Sequence, residues 1–212
     1  MVRAILMTAP YDGLHDLARQ AVAVRGHAPS PLPSFWAMTD PDRTPDIIGL
    51  AKRLPAGSGL IYRHFGAQDR HETAACLVDI AAERGILILI GNDPELARIT
   101  GADGVHWSER SIGQLHHRRA RGDLRVFTAA AHSPAALRRA AAAGADAVFY
   151  SPVFASLSPS AGRPKGHLAA SALARSTQTQ IIALGGVNNR SAKRLKGLGF
   201  FGIASVGAAA RT

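Results

Sequence analysis

The chain of 212 residues predicts the α/β class, as a single (β/α)8 TIM barrel with an N-terminal extension. Three observations carry this. Short apolar segments of strand length recur eight times. Segments rich in Ala, Leu, Arg and Glu at helical spacing lie between them, as in PDIIGLAKRL, HETAACLVDIAAERG and SPAALRRAAAAGA. Glycines gather after the seventh and eighth apolar segments, and not after the first. Alternation of strands and helices argues for a parallel sheet. Eight such units in so short a chain suit a closed barrel better than an open doubly wound sheet, which usually carries its glycine-rich loop after strand one.

The strands follow in order. They are FWAMT from Phe35, GLIYRH from Gly59, ILILIG from Ile86, DGVHW from Asp103, LRVFTA from Leu124, DAVFYS from Asp146, IIALGG from Ile181 and FGIASVG from Phe201. Several are apolar throughout, as strands buried on both faces must be. Residues 1–33 fall outside the count and form the extension, with a helix in GLHDLARQAVAVRG and a proline-stiffened connector in HAPSPLPS. Residues 34–212 form the barrel.

Composition bounds the function. At 47% hydrophobic the chain can bury one sizeable core. Its first residues lack a secretory pattern, and GILILIG is far shorter than a bilayer span, so the sequence reads as a soluble, cytoplasmic protein without a membrane partner. The lone Cys76 can form neither an internal disulfide nor a cysteine metal cluster, and is expected in the core. A net charge of +10 suits an anionic partner. The excess is scattered arginine without aromatic interleaving, which points away from nucleic acid and toward a small anion. A homo-oligomer is compatible with all of this.

In such barrels chemistry sits at the C-terminal strand ends, and the loops after strands seven and eight commonly hold phosphate. The strand ends supply Thr39 and Asp40, Arg63 and His64, Asn92 and Asp93, His106, His132, Ser151, Gly185 to Asn188, and Ser205 to Gly207. Tyr62 and Trp107 are further candidates, because the inward or outward phase of each strand is open at this stage. Both NDPEL and HSPAAL also read as helix starts, a capping residue followed by proline.

The motifs FWAMTD, IGNDPELARITGADGVHW, AAHSPAALRRAAAAGADAVFYSPVF, IIALGGVN and GFFGIASVGA, in this order from about Phe35 to Ala209, resemble the family of thiamine phosphate synthase and the TenI-type thiazole tautomerase. The resemblance implies a thiazole phosphate held by backbone, which by match falls on Gly185, Gly186, Val206 and Gly207. It implies that Arg63 and Asn92 belong to the substrate pocket, to which the strand ends add His64, His106 and Ser151.

The family's diphosphate and Mg2+ contacts are matched only at Arg63, Asn92 and Asp93. Ile61, Phe65, Ser111, Ala130 and the run from Ser156 to Pro159 replace the rest, with Arg163 and Lys165 as substitutes for a missing loop lysine. A departing diphosphate needs concentrated positive charge. The sequence therefore favours the tautomerase reading, in which the resemblance of the His-Ser pair to the tautomerase branch implies His132 as the catalytic proton carrier and requires no cofactor. A divergent synthase, using Mg2+ at Asp93, is the alternative, and a non-catalytic phosphate-binding barrel the third.

Overall fold

The computed structural model describes residues 13–25, 30–156 and 162–206. Helix α1 (Leu14–Val24) precedes strand β1 (Phe35–Met38). There follow α2 (Ile47–Arg53), β2 (Gly59–Tyr62), α3 (Arg70–Arg84), β3 (Leu87–Gly91), α4 (Pro94–Thr100) and β4 (Gly104–Trp107). A short 3-10 turn (Glu109–Ser111) leads into α5 (Ile112–Arg119), β5 (Val126–Ala131), α6 (Pro134–Ala142) and β6 (Ala147–Tyr150). The chain continues through α7 (His167–Arg175), β7 (Gln180–Ala183), α8 (Asn189–Ala192) and β8 (Gly202–Val206).

The eight strands are parallel and close in sequence order, β8 pairing β1 with Phe35 opposite Ile203. This is the expected (β/α)8 barrel. Every strand but β5 is shorter than its apolar run, and Arg63 and His64 fall beyond the end of β2.

Side chains divide by the twofold alternation of a strand. Trp36, Met38, Ile61, Leu89, Phe149, Ile182 and Ala204 fill the barrel interior. Phe35, Ala37, Leu60, Tyr62, Val105 and Trp107 face the helices. Trp36 plugs the lower interior, its ring edge-on to Phe149 at 5.5 Å and its indole N–H donating to the Pro33 carbonyl at 2.7 Å. Gly59 makes room for it, because a Cβ there would stand 2.1 Å from the indole.

Helix α1 buries Leu14, Leu17, Ala21 and Val24, spaced to share one face. That face packs across β8 and β1 and against α8. Next to β1, Leu32 joins the interior cluster beside Trp36 and Phe201, and Arg25 lies over the Phe201 ring. These residues cover the N-terminal end of the barrel, leaving the opposite end open.

Cys76 departs from expectation, being exposed on α3, whose inward face is carried by Ala74, Leu77, Ile80 and Ala81. Among the described residues no helix is long and apolar enough to cross a membrane.

Candidate functional site

A cavity of about 520 Å³ opens at the C-terminal ends of the strands. Arg63, Asn92, His106, His132, Ser151, Gly185, Gly186 and Val206 all line it. Gly207 lies outside the described residues.

His132 stands just beyond β5, where Ser133 starts α6 by accepting a hydrogen bond from the Ala136 N–H at 3.1 Å. The His132 backbone N–H donates to Glu109 at 2.6 Å, and Glu109 also faces Arg139 at 3.5 Å. The ring Nδ1 lies 3.2 Å from the Ser151 carbonyl oxygen and 3.0 Å from the Ser151 hydroxyl. The carbonyl only accepts, whereas the hydroxyl can donate or accept, so the two contacts orient the ring through Nδ1 and turn Nε2 to the cavity. Nε2 has no protein partner among the described residues. The ring is oriented at one nitrogen and open at the other.

Across the cavity Gly185 and Gly186 both adopt left-handed backbone, with φ of 88° and 65°. Their carbonyls are engaged, Gly185 by the Phe154 N–H at 3.0 Å and Gly186 by the Ser191 hydroxyl at 2.8 Å. The N–H groups of Gly185, Gly186 and Val187 have no acceptor among the described residues. Successive unpaired N–H groups in such a turn make an anion cradle. The bare backbone has a second cause as well. A Cβ on Gly185 would meet Pro152 at 2.7 Å, and one on Gly186 would meet the Ala155 carbonyl oxygen at 2.2 Å, so these glycines also let the β6 and β7 loops pack together.

Positive charge in the cavity is clamped. Arg43 donates to Asp40 at 2.8 Å, and Arg63 approaches the same carboxylate at 3.5 Å while its Nε–H donates to the Thr39 carbonyl at 3.0 Å. The hydrogen bond from Arg43 holds the Asp40 carboxyl below the usual carboxylate range, against the opposing effect of burial. Burial lowers the Arg63 guanidinium, and Asp40 partly restores it. Arg43 and Glu109 escaped the sequence reading because both lie in the loops following strand ends, where apolar periodicity gives no signal. The i, i+3 spacing of Asp40 and Arg43 was the one available cue.

The ring of His106 is at the floor, nearly fully buried at 4% exposure. Its Nδ1 lies 2.9 Å from the Thr128 hydroxyl, and it packs edge-on to Phe149 at 4.9 Å. Burial, with Arg63 adding, pushes its pKa down to about 3. It is therefore neutral at ordinary pH.

Four sequence candidates are placed elsewhere. His64 does not line the cavity, because the chain turns sharply after β2, Phe65 N–H donating to the Arg63 carbonyl at 2.8 Å. Its ring stacks on Tyr62 at 5.5 Å and its Nε2 is buried without a partner, burial lowering its pKa. Tyr62 and Trp107 point outward into the helical layer by strand alternation. Asp93 is turned to the start of α4, accepting from the Leu96 N–H at 3.0 Å, with its other oxygen 3.6 Å from Arg70.

The residues present do not fit Mg2+. Asp93 is committed to its helix and to Arg70, while Ser111 bonds Ser108 at 3.0 Å. Asp40 is saturated by guanidinium, and no cluster of three metal-ligating side chains occurs among the described residues. Phe65 lies over Gly91, where a Cβ would stand 3.1 Å from its ring, and so puts an apolar ring at the mouth above β3.

Residues 45–209 match the sequence profile of the family described as Thiamine monophosphate synthase. A thiamine-phosphate synthase of Alcanivorax borkumensis is 31% identical over 186 residues, covering 82% of this chain and 84% of that protein. One of Methylobacillus flagellatus is 29% identical over 189 residues, covering 86% and 90%. In three dimensions a thiamine phosphate pyrophosphorylase from Pyrococcus furiosus aligns with a TM-score of 0.73 at 21% identity, over 84% of this chain and 87% of that one, which speaks for the shared barrel. The match over residues 45–209 and the identity to these synthases establish that the chain belongs to the thiamine monophosphate synthase/TenI family.

Proposed function

We propose that this protein is a thiazole-phosphate tautomerase, in which His132 moves a proton on a carboxythiazole phosphate. The observation that carries the reading is the His132–Ser151 contact, which orients the ring at Nδ1 and leaves Nε2 open in the same cavity as the unpaired N–H groups of Gly185, Gly186 and Val187. The cradle takes the phosphate and the imidazole takes the proton. An imidazole suits a reversible proton transfer because its ordinary pKa lies near neutrality.

The charge balance supports the same choice. Coupling a pyrimidine diphosphate would expel a diphosphate, which needs cations aimed at the leaving group. The described lining offers Arg43 and Arg63 around one shared carboxylate, an apolar Phe65 at the mouth, and Ala130 where the family places a hydroxyl. Isomerisation of a single bound substrate makes no such demand.

A divergent synthase is the second reading. It is favoured by the activity named for the relatives and by the two guanidinium groups in the cavity. Incubation with the carboxythiazole phosphate, followed by ultraviolet spectra with and without pyrimidine diphosphate and Mg2+, separates the two. The tautomerase reading expects spectral conversion of the thiazole alone. Formation of thiamine phosphate, with no conversion in its absence, would overturn it in favour of the synthase.

A further inference from the structure

The cavity holds two imidazoles, and hydrogen-bond accounting at Thr128 assigns the state of one of them, His106. Thr128 is fully buried, and its hydroxyl has one partner among the described residues, His106 Nδ1. A buried hydroxyl must donate somewhere. The satisfied arrangement has Thr128 donating to Nδ1, which places the ring proton on Nε2. His106 points into the barrel, since its neighbours Val105 and Trp107 face the helices and its ring meets the interior Phe149. With Nδ1 turned to Thr128, the edge bearing Nε2 is left to the cavity that His106 lines.

We propose that His106 is a fixed neutral donor whose Nε2–H holds an acceptor atom of the substrate's conjugated ring or its carboxylate, in the same cavity as His132. The proposal rests on the tautomerase reading for its chemistry, though the donor itself follows from Thr128. When His132 takes a proton from carbon, the electron pair left behind spreads through the ring and its carboxylate. A neutral donor aimed there stabilises the growing negative charge more than the ground state. The proton then returns to a different carbon, so atoms and charge balance without any oxidant or reductant. Burial supports the arrangement, because a ring whose pKa is near 3 stays a donor of one hydrogen and does not compete for the moving proton.

The test has a spectroscopic arm that needs no activity. Long-range 1H–15N NMR of the whole protein should show His106 as the Nε2–H tautomer, without titration between about pH 5 and 9. The Nδ1–H tautomer, or a titration in that window, would overturn the proposal. Thr128→Val should disturb this signature and Thr128→Ser should restore it. An unchanged tautomer in Thr128→Val would show that Thr128 does not set it.

The kinetic arm uses the carboxythiazole phosphate. His106→Phe should lower kcat by about 10²-fold with KM little changed, while His106→Gln, whose amide can donate from a similar place, should recover to within about tenfold. Wild-type kcat in His106→Phe would overturn the donor role. If the wild type turns out not to convert this compound, the tautomerase reading fails by itself. The donor is then decided by titrating the compound into the labelled protein, where a shifted Nε2–H resonance supports it and an unmoved one overturns it.

Discussion

The Ser151 carbonyl oxygen lies 3.2 Å from Nδ1 of His132, and this single contact joins the ends of β5 and β6 into a directed base. Removing the imidazole should therefore affect chemistry and not binding. His132→Ala is expected to lower tautomerisation by roughly 10²–10⁴-fold, with thiazole phosphate affinity nearly unchanged by calorimetry. Full activity in this variant would remove the base from the proposed function.

Phosphate recognition is assigned to backbone on the far side of the cavity. The protein should bind thiazole phosphate and bind the unphosphorylated alcohol far more weakly, by at least about tenfold, as charge-assisted hydrogen bonds to three N–H groups require. Equal affinities in a calorimetric titration would count against the cradle.

Gly186→Ala should destabilise the fold as well as weaken ligand binding, since it meets both positive φ and a carbonyl oxygen 2.2 Å from the new Cβ. Gly57→Ala is the control. Its φ is similar at 76° but the space around it is open, so only backbone strain of about 1–2 kcal/mol applies. Thermal melts should show the larger loss at Gly186, and only that variant should lose thiazole phosphate.

Asp40 should make stability depend on pH in a known direction. Its folded pKa lies below its ordinary value, so its contribution is fully present above that ordinary value and disappears as pH falls through the folded one. Asp40→Asn should cost about 1 kcal/mol or less near neutrality, because the cluster is partly exposed and screened, and nothing in strong acid. The same change removes the carboxylate that Arg63 approaches in the cavity, and should raise affinity for a carboxylated thiazole over its uncarboxylated form.

His106 contributes at a different pH. Its folded pKa of about 3 lies below the ordinary imidazole value, so the unfolded chain binds the extra proton first. Stability should be constant above the ordinary value and fall steadily on acidification toward about 3. Denaturant titrations of His106→Gln should show a flatter acid limb. An unchanged limb would mean that His106 is not buried as neutral.

The sequence by itself determined the barrel, because eight apolar runs separated by helical segments leave few other ways to bury every strand on both faces. It also carried the strand ends, and with them most residues around the cavity, since in this fold a strand's C-terminus is a place in space. Helix starts at Asp93 and Ser133 were legible too, as capping chemistry is local.

Tertiary structure alone decided which of two neighbours enters the cavity. Arg63 and His64 both lie past the end of β2, where strand alternation no longer applies, and a turn closed by Phe65 N–H sends one in and the other against Tyr62. It also decided the partners of each charge. Asp93 faces Arg70 from a neighbouring helix, and Asp40 gathers Arg63 from just past the next strand, across sequence distances that no periodicity reports. The orientations of the His106 and His132 rings belong to the same class of fact: each is set by oxygens on the next strand or just past its end, through contacts that exist only once the barrel has closed.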